Sequence, residues 1–281
     1  MKMKGKEKME KYEEQLRKER IPTVKISGSG RTKIPGLGYA VISGSGIISS
    51  EEISISGSGR LPGGIKAKRI VGAGSIVIEG NAEADEMRFS GSTHVAGGIS
   101  VKIIEGSGSF SSGPLVGESA RFSGSCKIRG DVKLEKSFHV YGSLEVSGDL
   151  TAKDKIETDG SFDVKGGIST KVFKATLSKK NSYVGKGIKA DFIEIKAEEF
   201  KGIVIFGFKI FGRLFEAGKL YVDELVAEND VFLENVKCKN VVGGNVVIGK
   251  GCVVEGKVKY RNSVSIDPKA VLSHPPEKIE G

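Results

Sequence analysis

Three histidines, three cysteines and a scatter of carboxylates are the residues of this 281-residue chain that could do chemistry. His94, His139 and His274 have no carboxylate, Ser or Cys at a spacing that builds a nucleophile–base relay, and His94 lies 32 residues from Cys126. Cys126, Cys238 and Cys252 stand far apart, without the spacing of a zinc knuckle or a redox pair. Such usage fits a reducing compartment, where a buried Cys serves as a small apolar residue. Gly-x-Gly triplets recur, but none has the third glycine of a dinucleotide fingerprint. GNVVIGKG (244–251) and GCVVEGKV (251–258) approach a phosphate-binding loop, yet Gly251 and Val258 follow their lysines where Ser or Thr would hold magnesium. They read better as overlapping strand–turn repeats. Glu83, Asp85 and Glu86 are the best carboxylate cluster. Lys66, Lys68 and Arg69 precede them by 17 residues, and Lys102 and Glu105 follow at a similar interval, the pattern of cross-strand charge pairing on an exposed face. The residues therefore predict no catalytic, cofactor-binding or metal site.

The elements that carry these residues are set by composition and period. Hydrophobic residues make up 38% and charged residues 28%, enough apolar material for a core. No window approaches the roughly 18 consecutive apolar residues of a membrane-spanning helix. The net charge is +9, of which residues 1–20, with eight Lys/Arg and five Glu, hold +3. The remaining +6 is spread thinly, without the basic stripe and interleaved aromatics of a nucleic-acid binder. The N-terminus has no apolar signal core, so the chain reads as cytoplasmic.

Forty glycines, roughly twice average usage, fall in a pattern. Gly-Ser dipeptides begin at residues 28, 44, 57, 74, 91, 108, 124, 142 and 160, at intervals of 16, 13, 17, 17, 17, 16, 18 and 18. GGIKAKRIVGAGS (63–75) and GGISVKIIEGSGS (97–109) agree at eight of thirteen positions. Within each step lie short β-branched alternations such as Ile76-Val77-Ile78, bounded by Gly, Ser, Asn or Asp. Helices between residues 23 and 182 would bury glycines at roughly 1 kcal/mol each. A step of this length holds three strands of about four residues and three turns, one coil of a triangular parallel solenoid. The predicted fold is all-β: a parallel β-helix of about 17 residues per coil, roughly fifteen coils and about 70 Å long.

The expected organisation is a charged N-terminal segment (1–22), a Gly/Ser-rich solenoid (23–182), a Phe/Val-rich continuation (183–274) and a polar tail (275–281). A seam is expected near 183–190, where the Gly-Ser marker disappears. Met9, Tyr12 and Leu16 fall at helical spacing before Pro22, giving either a short helix capping the first coil or a mobile charged tail. IVIFGFKIFGRLF (203–215) is the most apolar stretch. Val204, Phe206, Phe208 and Ile210 would line one face as core, while its greasy second face makes Phe206, Phe208, Phe211 and Phe215 a candidate contact surface for lipid or a second protomer.

The run of Gly-Ser steps, with VVGGNVVIGKGCVVEGKVKYRNSVSIDPKAV (241–271) as closing coils, resembles the bactofilins, polymer-forming cytoskeletal proteins of prokaryotes, in their longer cytoplasmic form. The resemblance implies a right-handed β-helix that stacks end to end into nonpolar, nucleotide-independent filaments. It implies no cofactor and no enzymatic activity. The implied partners are further copies of the chain or a paralogue, with no nucleic acid and with membrane association left open. Strand edges at the ends of a β-helix recruit another chain unless capped, so Val264, Ile266 and Val271 of the last coil are the expected self-association residues. Two other functions compete. IGKGCV, VEGKVK and IDPKAV also resemble the six-residue repeats of left-handed β-helix acyltransferases, and a monomeric adaptor would display the same long β face.

Overall fold

The computed structural model describes residues 23–198 and 217–280, together with the backbone of two short strands, Val204–Ile205 and Phe208–Lys209. The expected N-terminal helix or tail lies outside the described residues, as do Phe206, Phe211, Phe215 and the side chain of Phe208. The described chain is an all-β solenoid of about 12 turns, with about 17 residues per coil.

The burial pattern of one strand shows how a coil closes. The strands are β1 (Val24–Ile34), β2 (Gly38–Ile48), β3 (Glu52–Leu61), β4 (Ile65–Ile78), β5 (Ala82–Val95), β6 (Ile99–Ser112), β7 (Leu115–Ile128) and β8 (Val132–Val146), followed by shorter strands as far as Glu277–Lys278. Along β4, three buried pairs, Ile65/Ala67, Ile70/Gly72 and Ile76/Ile78, are separated by exposed corners at Lys68-Arg69 and Ala73-Gly74-Ser75. Glu79-Gly80-Asn81 makes the third corner before β5 begins. Each coil is thus a triangle with three short sides. From β3 onward the coils stack in parallel register: Ile65 lies beside Ala82 and Ile78 beside Val95, 17 residues apart. At the third corner a side-chain amide or carboxylate oxygen accepts from the backbone of the next coil. Asn81 Oδ1 accepts from Gly98 N–H at 2.8 Å, and Asp149 Oδ1 from Gly167 N–H at 2.8 Å.

The Gly-Ser corners are the feature that forces glycine. All nine marker glycines fall into one in-register ladder, from Gly28 beside Gly44 through to Gly142 beside Gly160. Their φ angles lie between +86° and +134°, a region that side-chain-bearing residues rarely enter. From Gly44 onward, a Cβ on any of them would also collide with a backbone carbonyl of the neighbouring strand. The serines flanking this corner are exposed in β4 to β7.

Inward side chains stack in columns, and large residues are accommodated by glycine above and below. Gly72, Phe89, Gly106 and Phe122 occupy one column in successive coils. A Cβ on Gly106 would come within 2.8 Å of the Phe122 ring, so the ring fills the volume that the glycine leaves. Phe110 and Phe122 stack with centroids 4.6 Å apart. Cys126, Cys238 and Cys252 sit in the core as free thiols.

Three features depart from the sequence expectation. First, β1, β2 and β3 form an antiparallel meander, so the parallel ladder begins only at β3. The physical reason is loop length: Pro35-Gly36-Leu37 and Ser49-Ser50-Glu51 are tight turns, whereas a parallel return needs a dozen or more residues. Second, there are about 12 turns rather than fifteen, because the meander and an excursion at 199–216 add residues without adding coils. Third, the ladder runs unbroken through 183–190, where Ser182–Val184 pairs with Leu220–Val222 and Ile188 lies beside Ile168. The interruption comes later. Glu198 N–H donates to Leu177 O and Gly218 N–H to Ser178 O, so the chain leaves and rejoins the solenoid at adjacent residues of one corner.

Gly108→Ala is expected to cost at least about 2 kcal/mol, from positive φ together with the carbonyl collision. Ser109→Ala, at the exposed neighbouring position, should stay within about 0.5 kcal/mol of the parent. Urea unfolding followed by circular dichroism measures both, and equal costs would contradict the ladder.

Candidate functional surface

The titratable residues singled out from the sequence lie on the outside of the solenoid, on different sides. His94 Nδ1 is 2.7 Å from Ser111 Oγ, one coil away, a pair that linear spacing does not reveal. The residue beside His94 in the preceding coil is Val77, so no carboxylate from that side orients the imidazole as a base. His139 Nδ1 approaches Glu157 Oε2 at 3.1 Å without hydrogen-bond alignment, and burial holds its pKa below the usual histidine value despite that carboxylate. His274 Nδ1 lies 3.3 Å from Gly256 O on the exposed last coil. Burial raises all three thiols, Cys238 to about 12 and Cys252 to about 11, which leaves them poor nucleophiles. The two loop-like glycine stretches are strand and turn, with Val246, Ile248 and Val254 pointing into the core. Among the described residues, no group of three or more His, Cys, Asp or Glu converges to hold a metal ion. No described helix is long and apolar enough to cross a membrane.

Glu83, Asp85 and Glu86 are paired across coils as their spacing predicts. Lys66 lies 2.7 Å from Glu83, Lys102 2.8 Å from Asp85 and Arg69 3.4 Å from Glu86. The pairing extends much further than that cluster. Glu51, Lys68, Asp85, Lys102, Glu118, Lys136, Asp154 and Lys171 occupy the same corner in eight successive coils, alternating in sign at every step. Lys68–Glu51 and Lys136–Glu118 are 2.7 Å pairs, and Lys171–Asp154 is a 3.6 Å pair. The neighbour on the other side also acts: Lys102 is raised chiefly by its hydrogen bond to Asp85 and further by the charge of Glu118. Every member of the column is exposed. Beside it runs a groove of about 960 Å³ with Ala67, Ala84 and Val101 in its wall. Val116 and Ile103, 50% and 47% exposed, flank the column on either side.

The second unusual surface is the C-terminal coil. Columns that are sealed in the preceding turn open here: Ile248 is 0% exposed, and its register partner Ile266 is 39% exposed. Val246 and Val254 are buried, whereas Val264 and Leu272, stacked on them, are only half-buried. Val271 pairs with Val253 and belongs to the outward row, 59% exposed on the side of the rod. Leu272 was missed by the sequence reading, although the 18-residue shift that aligns IGKGCV with IDPKAV also places it on Val254. At the opposite end the outermost strand, β1, turns Lys25, Arg31 and Lys33 outward, with Arg31 lying 3.9 Å over the Tyr39 ring. Charged residues on an edge strand disfavour further strand pairing.

No family model, curated protein or solved structure matches this chain.

Five carboxylates are held below the usual range: Glu118 by Lys136, Asp149 by the Gly167 N–H and then Lys186, Glu157 by Lys155, Glu194 by Lys174 and Lys196, and Glu277 by Lys257. A carboxyl with a lowered folded pKa contributes stability that is present above its unfolded value and lost as pH falls through the folded one. His139 acts in a higher window. Its folded pKa lies below 6.5, so the unfolded state takes up the proton first and stability begins to fall below that value. Thermal unfolding across pH should show a shallow loss starting below 6.5 and a steeper one below about pH 4. His139→Gln should remove the first phase and leave the second.

Proposed function

We propose that this chain is a structural, self-assembling scaffold of the bactofilin kind, stacking through the end of its solenoid into nucleotide-independent filaments rather than catalysing a reaction. The carrying observation is the C-terminal coil. Ile266 occupies an inward column position whose counterpart one coil earlier is fully sealed, so a second solenoid end laid on it would complete the burial. Apolar surface removed from water in this way is stabilising by about 25 cal/mol per Å², and the open edge of Val258–Ile266 can extend the backbone ladder. The resemblance of residues 241–271 to closing bactofilin coils supports the same reading. The cytoplasm is the proposed location, and the proposed partner is a second copy or a paralogue.

The test is Ile266→Lys combined with Leu272→Lys. Both side chains are already partly solvated, so the fold should survive with unchanged circular dichroism. Sedimentation velocity and negative-stain microscopy across a salt series should show filaments or oligomers for the parent and smaller species for the variant. A variant that assembles like the parent would remove the end contact. A rise in melting temperature with saturating coenzyme A would favour the transferase instead, since only a binding site for it in the folded state gives such a shift.

A further inference from the structure

We infer that the alternating-charge corner is a lateral docking surface for a second copy of this chain, arranged antiparallel about a two-fold axis lying between the coils of Lys102 and Glu118. The inference does not rest on end stacking, and it uses a different face of the rod.

Symmetry selects the register. In an antiparallel face-to-face pair, the corner residue of one coil meets the corner residue of another coil in the partner, and the two positions sum to a constant. Because the sign alternates at every coil, an axis passing through a coil sets like charges opposite one another throughout. An axis between coils sets opposite charges together throughout. With the axis between Lys102 and Glu118, each of these faces the other's counterpart, and Asp85 faces Lys136. The adjacent outward row agrees, because Glu83 then faces Lys133.

Apolar exposure chooses among the axes that remain. Ile103 and Val116, which are among the exposed large hydrophobic residues of the described chain, belong to the two coils that flank this axis. The pair would therefore place apolar side chains at its centre and charges toward both ends, the core-and-rim arrangement of protein interfaces. The charges are already paired within each chain, so they contribute register and encounter rate more than affinity. The contact is isologous and therefore self-limiting.

The experiment uses the full chain carrying Ile266→Lys and Leu272→Lys, so that loss of end stacking cannot be mistaken for loss of the lateral contact. Sedimentation equilibrium should show a reversible dimer that weakens in 1 M salt. Adding Ile103→Lys and Val116→Lys, at exposed positions, should weaken it at least tenfold with circular dichroism unchanged. Spin labels on Thr151→Cys and on Ser169→Cys, placed seven and eight coils along the same row, report the geometry. The antiparallel register gives axial label separations of about 24 Å and about 34 Å, at 4.8 Å per coil. Equal separations for the two labels, a monomeric background at every concentration, or a quadruple variant that dimerises like the background would each overturn the inference.

Discussion

The structure depends on a backbone contact at one corner of each coil, where a glycine at positive φ rests against the neighbouring strand too closely for a side chain to intervene. That contact fixes the axial register of every coil on the next. Once register is fixed, inward residues align in columns and outward residues in rows, because side chains alternate strictly along each side. A slip of one residue would move glycine off the corner and exchange the core face for the solvent face. The nine-member ladder is therefore both the steric constraint and the indexing device of the Gly/Ser-rich half. Beyond Gly160 the same corner is held differently, with Leu177 beside the last glycine and larger side chains filling the core.

Much of this was legible in the sequence because the constraint is local and repeats. The Gly-Ser interval gave the coil length, and the short alternations between glycines gave the three sides. The antiparallel opening was not legible for a definite reason: Ser-Gly-Ser reads the same in both chain directions. Gly28, Gly44 and Gly57 keep their places in the ladder while the strand carrying Gly44 runs backwards. The only trace is the interval of 13 between Gly44 and Gly57, since a hairpin spaces its glycines by turn position and not by coil perimeter. Likewise, Val271 and Leu272 are adjacent apolar residues, and only the register with Val253 and Val254 tells which one points inward.

The polar surface follows from the same indexing. Parallel in-register stacking brings equivalent positions about 4.8 Å apart, so like charges at equivalent positions would repel along the whole rod. Alternation of sign relieves this, and it explains why the cluster at Glu83, Asp85 and Glu86 is no catalytic grouping: each carboxylate answers a cation one coil away. Individually such exposed pairs contribute little to stability. Their collective effect is to disfavour coil slippage, because a shift by one coil sets every pair against its like. The short Ser-rich corner and the charged corner thus divide the work, one imposing register by steric exclusion and the other by electrostatics.

The two ends of the rod differ, and that asymmetry limits what the fold can assemble. A parallel coil end can be continued head to tail only by another parallel coil, yet the first element is an antiparallel meander whose outer strand carries outward Lys and Arg. Head-to-tail growth is therefore disfavoured, and the open C-terminal coil finds its best match in a second C-terminal coil, an isologous contact that closes after two chains. An isologous contact alone makes dimers and never filaments. Extended polymers from this chain require a second self-complementary surface, and the corner that alternates in sign has the symmetry to supply it. Two different two-fold contacts on one rod propagate without limit and give a polymer with no polarity, because each contact reverses the direction of the chain.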